Sequence, residues 1–148
     1  MMIKKFSFTT DTATLSIFDL ASLKHRISDD PDWWSIPEDE LDEINKGNIL
    51  FLNLGEDGDY TVEIHDDIKG NYSTLSLKVP SGKIYIGAGE DTSGGGLEPD
   101  GSDYMSGVFL DLAPGDYDIS FKKDDDKIIL SLRIGENSTN DIKELIRL

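Results

Sequence analysis

The chain has no cysteine and only two histidines in 148 residues. The first absence excludes a disulfide framework, a thiolate metal site and a cysteine nucleophile. Positive charge is also scarce, with 14 Lys+Arg against 30 Asp+Glu and a net charge of -16. Neutralising phosphate takes clustered Lys and Arg, so nucleic acid is excluded as a direct partner, and so is an anionic membrane surface. No apolar run approaches the roughly 18 residues of a membrane span. Met1–Phe8 carries two lysines but no signal-peptide core behind them, and a cytoplasmic protein is expected.

What remains is the composition of a folded chain: 37% hydrophobic, too apolar for disorder despite the charge. The length suits one domain, residues 1–148, able to bury a core without staples. The dominant pattern has period two. Ile3–Phe8 and Ala13–Phe18 read as strands, as do Ile49–Leu54, Tyr60–His65, Leu75–Val79, Lys83–Ile86, Val108–Leu112, Tyr117–Lys122 and Ile128–Ile134. Helical spacing is local. Asp19 looks like an N-cap, with Leu20, Leu23 and Ile27 on one face. Ser35-Ile36-Pro37-Glu38 has capping-box spacing, Leu41 and Ile44 form an apolar face, and Gly47 supplies a stop. Asn140–Leu148 reads as a short last helix. The expected fold is mainly β: a two-sheet antiparallel β-sandwich with one or two short helices in the N-terminal half.

Two turns echo one another. Phe51-Leu52-Asn53-Leu54-Gly55-Glu56-Asp57-Gly58-Asp59-Tyr60 resembles Phe109-Leu110-Asp111-Leu112-Ala113-Pro114-Gly115-Asp116-Tyr117. Each is a strand, a glycine-containing turn, and a tyrosine opening the next strand. Shared turn chemistry explains this more simply than a duplicated domain. The second copy has the form of a tyrosine corner, a structural device that hosts many functions.

Catalytic signals are thin. His65 stands in a strand beside Asp66 and Asp67, where solvation is a simpler role than general base, and no Gly-x-Ser-x-Gly elbow occurs. Glu56–Asp59 and Asp124–Asp126 are carboxylate runs, but neither completes a calcium loop; the second reads as a polar hairpin turn. Gly87–Gly107 holds seven glycines, yet it lacks the P-loop lysine, and Glu90 and Asp91 would repel phosphate. No metal and no cofactor is expected, and folding should not need a metal.

The strongest signal is charge segregation. Asp29–Glu43 holds eight acids, Glu56–Asp67 six and Glu90–Asp118 eight, and all three stretches run without a Lys or Arg. An acidic face of this kind steers a basic partner, although acidity also serves solubility. Both tryptophans, Trp33 and Trp34, lie in the first stretch beside Asp32. They suit core anchoring or, for Trp33, contact with a cation. The expected partner surface is Asp32, Trp33, Glu38, Asp39, Asp42 and Glu43, with the four helix acids facing solvent and Leu41 and Ile44 facing the sheet.

Asp32-Trp33-Trp34, Gly87-Ala88-Gly89-Glu90 and Pro114-Gly115-Asp116-Tyr117 together resemble an uncharacterised bacterial family that brings no known activity. Val108–Leu112 through Gly115–Ile119 also resembles the acidic competence nuclease inhibitor, over about a quarter of the chain. That resemblance implies a binding role and carries no functional residues with it. The leading expectation is a non-enzymatic interaction protein, of the immunity or inhibitor type, that docks a basic partner protein. The alternative is a small-molecule or carbohydrate-binding β-sandwich module using Trp33 and the Gly87–Gly107 loop, with calcium as an optional ligand.

Overall fold

Two kinds of strand alternate along the chain, and they segregate into two different sheets. The computed structural model describes residues 2–19, 21–22, 36–89, 107–137 and 139–147. Its elements are β1 (Met2–Thr10), β2 (Thr14–Asp19), α1 (Pro37–Asn45), β3 (Ile49–Asn53), β4 (Gly58–His65), β5 (Ser73–Val79), β6 (Lys83–Ala88), β7 (Val108–Asp111), β8 (Gly115–Asp124), β9 (Lys127–Ile134) and β10 (Ile146–Arg147). One five-stranded sheet has the order β1-β4-β9-β8-β5, and the other β10-β3-β2-β6-β7.

The first sheet has one core face and one polar face, so β4 and β8 alternate buried and partly exposed residues. β2, β3 and β6 of the second sheet are buried at nearly every position. That sheet is therefore covered on both faces, which explains its near-continuous apolar sequences. Leu15, Ile17, Ile84 and Ile86 join Val62, Ile64, Ile119, Phe121 and Leu130 in one core. Phe18, Tyr85 and Phe109 stand in register across β2, β6 and β7 and pack ring against ring.

The expected mainly-β, two-sheet fold is present, but the sheets are mixed rather than antiparallel. β4 runs parallel to β9, and β10 parallel to β3. Alternation reports which face a residue occupies, not strand direction. Direction follows from the loop after His65, which carries the chain past β9 and β8 to β5. Ile68 is buried in that loop, the Asp66 carbonyl accepts from Arg133 Nε and Nη2 (3.0 and 2.8 Å), and the Lys69 carbonyl accepts from Lys122 Nζ (2.7 Å).

The tail is a second correction. Asn140–Leu148 forms no helix among its described residues; Ile146–Arg147 pairs with β3 instead. The segment is fixed by a reciprocal clasp. Asn45 donates to the Ile142 carbonyl and accepts from its N–H, while Asn140 bonds the backbone of Ile44, Asn45 and Ser76. These bonds, and the packing of Ile142, Leu145 and Ile146 on the core, outweigh the weak propensity of a short helix.

α1 begins one residue later than the capping box predicts. Ile36 is the N-cap, in extended conformation and without a side-chain cap, because the following Pro37 disfavours helical geometry before it. Its C-terminus is a Schellman turn: Asn48 N–H bonds the Glu43 carbonyl and Gly47 N–H the Ile44 carbonyl, with Gly47 at φ 75°. The predicted first helix falls largely outside the described residues. Asp19 is the last residue of β2 and fully buried; its carboxylate accepts the Ala21 N–H, as an N-cap does, and also the N–H and hydroxyl of Ser81. No described helix is long and apolar enough to cross a membrane.

Candidate functional site

Both echoing turns are corners at which the chain leaves the second sheet for the first. Tyr60 donates to the Glu56 carbonyl (2.6 Å) and Tyr117 to the Ala113 carbonyl (2.7 Å), each four residues back. The shared sequence pattern is thus a shared device: a buried ring anchors the corner and its hydroxyl satisfies the turn backbone.

The Tyr60 corner stands at one end of the sandwich, between two other turns. Leu54 N–H bonds the Ala13 carbonyl (2.7 Å), tying it to the β1–β2 turn, and Thr61 N–H bonds the Asp126 carbonyl (3.0 Å), tying β4 to the β8–β9 hairpin. Each turn forms for a local reason. Thr10 Oγ1 accepts from the Thr12 and Thr14 amides in the first, and Asn53 Oδ1 from the Gly55 amide in the second. The hairpin is closed by Asp125–Asp126, with Asp125 at φ 56°, a conformation aspartate tolerates.

These turns bring Asp11, Glu56, Asp57, Asp59, Asp124, Asp125 and Asp126 to one end of the molecule, with Lys123 and Lys127 as the nearby cations. Residues 54–60, Lys123, Asp125 and Asp126 line an open cleft of about 600 Å³. Asp59 is also bonded by Thr9 Oγ1. The field is felt at Tyr60. Its phenol is pushed up first by burial and then by the carboxylates of Glu56, Asp57 and Asp126, against the lowering effect of its bond to the Glu56 carbonyl. Among the described residues no group of three or more His, Asp or Glu side chains is placed to hold a metal ion.

The sequence-predicted surface is distributed differently. Asp32 and Trp33 lie outside the described residues. Glu38 and Asp42 are exposed on α1, Asp39 is half-buried, and Asp42 pairs with Lys46 at 2.9 Å. Glu43 does not face solvent. It is fully buried and accepts from Asn48 Nδ2 at 2.8 Å, because the Schellman turn folds Asn48 back beneath it. Burial also lifts the carboxyl of half-buried Glu40 to about 7. α1 meets the start of β3 and the acidic turns its end, so the length of β3, about 17 Å, separates the two acidic patches. His65 is not simply solvated: its Nε2 lies 3.0 Å from Glu63 Oε1. That bond, reinforced by Lys127 and Lys5, holds the Glu63 carboxyl below the ordinary range.

The acidic end escaped sequence reasoning because its runs were read separately as turns. The signal was their position, each directly after a strand, but only the parallel β4–β9 pairing makes them neighbours.

The chain matches the Family of unknown function (DUF6386) over residues 2–148. It belongs to DUF6386. Two solved structures share the DUF6386 protein's fold. ComJ of Bacillus subtilis, described as an inhibitor of the DNA-degrading activity of NucA, is 14% identical, with a TM-score of 0.53 over 89% of this chain and 96% of ComJ. The Crocagin biosynthetic gene J product is 13% identical, with a TM-score of 0.55 over 90% of this chain and 96% of that one. No curated protein matches the DUF6386 sequence. The likeness to ComJ, apparent in sequence only around the Tyr117 corner, therefore extends in fold to most of the chain.

Proposed function

We propose that this protein is a non-enzymatic, inhibitor-like protein that docks a basic partner protein, and that the acidic end of the sandwich is its principal docking surface. The observation that carries the proposal is the convergence of carboxylates from three turns distant in sequence, joined by backbone hydrogen bonds. Carboxylates crowded on one end repel one another, a cost that a cationic partner relieves. The fold shared with ComJ supports the class of role. An enzyme that degrades DNA must attract a polyanion, and a rigid array of carboxylates competes for the same basic surface. The exposed acids of α1, Glu38 and Asp42 with Asp39 beside them, are a second surface, and Asp32 and Trp33 precede them in the chain.

Two charge-reversed variants test this against wild type as immobilised baits in native lysate. One carries Glu56→Lys, Asp57→Lys and Asp126→Lys; the other carries Glu38→Lys and Asp42→Lys. A basic protein retained by wild type and by the helix variant, but lost from the acidic-end variant despite a wild-type circular dichroism spectrum, is the expected result. Equal retention by all three baits contradicts it.

A further inference from the structure

The long edges of the first sheet are treated in opposite ways. At β5 the edge is finished off. Asn140 accepts from the Ser76 N–H (2.7 Å) and donates to the Ser76 carbonyl (2.9 Å), and the Gly47 carbonyl takes the Lys78 N–H (2.8 Å). At the opposite edge β1 pairs with β4 alone among the described strands, in unbroken antiparallel register from Lys4 to Thr10. Every second residue of such a strand turns its N–H and C=O away from its partner, which makes the edge a template for a further strand. Lys4–Phe8 contains no proline and follows the one register shift of this pairing, which falls between Met2 and Lys4, at Ile3.

Beside that edge the seam between the sheets opens into a cavity of about 320 Å³. Ile3, Ile64, Leu110, Leu112 and Leu132 line it, with Lys4 and Asp111 as its charged members. Ile3 is 67% exposed there. Side chains of a strand added along β1 would alternate between the polar face and this cavity. Charge narrows the occupant. β1 carries Lys4 and Lys5 and no acid, in a chain of net charge -16. A second copy pairing through β1 would add two more lysines to that junction, where Lys5 already stands opposite Glu63.

We propose that β1 is a docking edge for an extended acidic segment of a partner protein, which adds as a sixth strand and places an apolar side chain in the cavity. Strand addition of this kind takes its affinity from main-chain hydrogen bonds and its specificity from pockets for alternate side chains. The proposal does not depend on the acidic end, which lies at the other end of β1 and has the opposite charge preference.

The test uses a blocked peptide of about eight residues in which Val alternates with Glu, added to the intact protein and followed by amide hydrogen exchange. Expected are slowed exchange at Lys4–Phe8 and no change at β5. Replacing each Glu of the peptide by Lys, or Ile3 of the protein by Glu, is expected to weaken binding about tenfold or more, the scale of one lost apolar or charge contact. Because Ile3 is exposed, the Ile3→Glu variant keeps the wild-type melting temperature. Unprotected β1 amides at saturating peptide, or equal binding by Ile3→Glu, would overturn the proposal. Concentration-dependent protection of β1 in the protein alone would also overturn it, since a second copy would then be the occupant.

Discussion

Single side chains carry the corners and the pH response. Tyr60 and Tyr117 each occupy the position at which a buried ring can return its hydroxyl to the turn, and both are legible in the sequence as a repeated pattern. Glu40 was not legible, because nothing in Glu38-Asp39-Glu40 marks which acid loses water. Its carboxyl, ordinarily at 4.5, is raised to about 7 by burial. The folded chain therefore binds this proton more tightly than the unfolded chain. The resulting stability is fully present below pH 4.5 and is lost as pH rises through about 7. Glu40→Gln removes the titration. We expect the variant to melt at the wild-type temperature near pH 4.5 and above it at about pH 8, in scans across that range. Parallel curves would show that Glu40 is not desolvated.

At the level of elements, strand existence followed from alternation and from apolar runs, because burial on one face or two leaves different patterns. Strand direction and the fate of the tail did not follow. Parallel β4–β9 pairing depends on a crossover held by Ile68, Arg133 and Lys122, and β10 depends on the Asn45–Asn140 clasp. Such contacts have no local signature. α1 shows the same limit within one helix. Helical spacing placed Asp42 and Glu43 together on the solvent side, yet the Schellman turn buries one of them. The two should respond differently to reversal. Asp42→Lys loses an exposed pair with Lys46, worth about 0.3–0.5 kcal/mol, and gains a comparable favourable term with the helix dipole, so folding stays near wild type. Glu43→Lys places a cation in a fully buried site and strands Asn48, at a cost on the order of 3 kcal/mol. Urea unfolding midpoints of the two single variants decide the matter; equal midpoints would contradict the burial of Glu43.

On the scale of the whole molecule, charge segregation was visible in the sequence while its location was not. The acids of α1 are close together in the sequence and so legible there. The acidic end is assembled from the β1–β2, β3–β4 and β8–β9 turns, which the topology alone makes neighbours. If this end docks a cationic surface, association must be long-ranged and screened, since the Debye length shrinks from about 30 Å at 0.01 M salt to about 10 Å at 0.1 M. The most direct measurement is the dissociation constant for the captured basic protein across that salt range, for wild type and for the Glu56→Lys, Asp57→Lys, Asp126→Lys variant. The account predicts steep weakening with salt for wild type and a weak, nearly salt-independent interaction for the variant. A wild-type affinity that does not change with salt, or a variant that keeps the wild-type slope, would contradict docking through the acidic end.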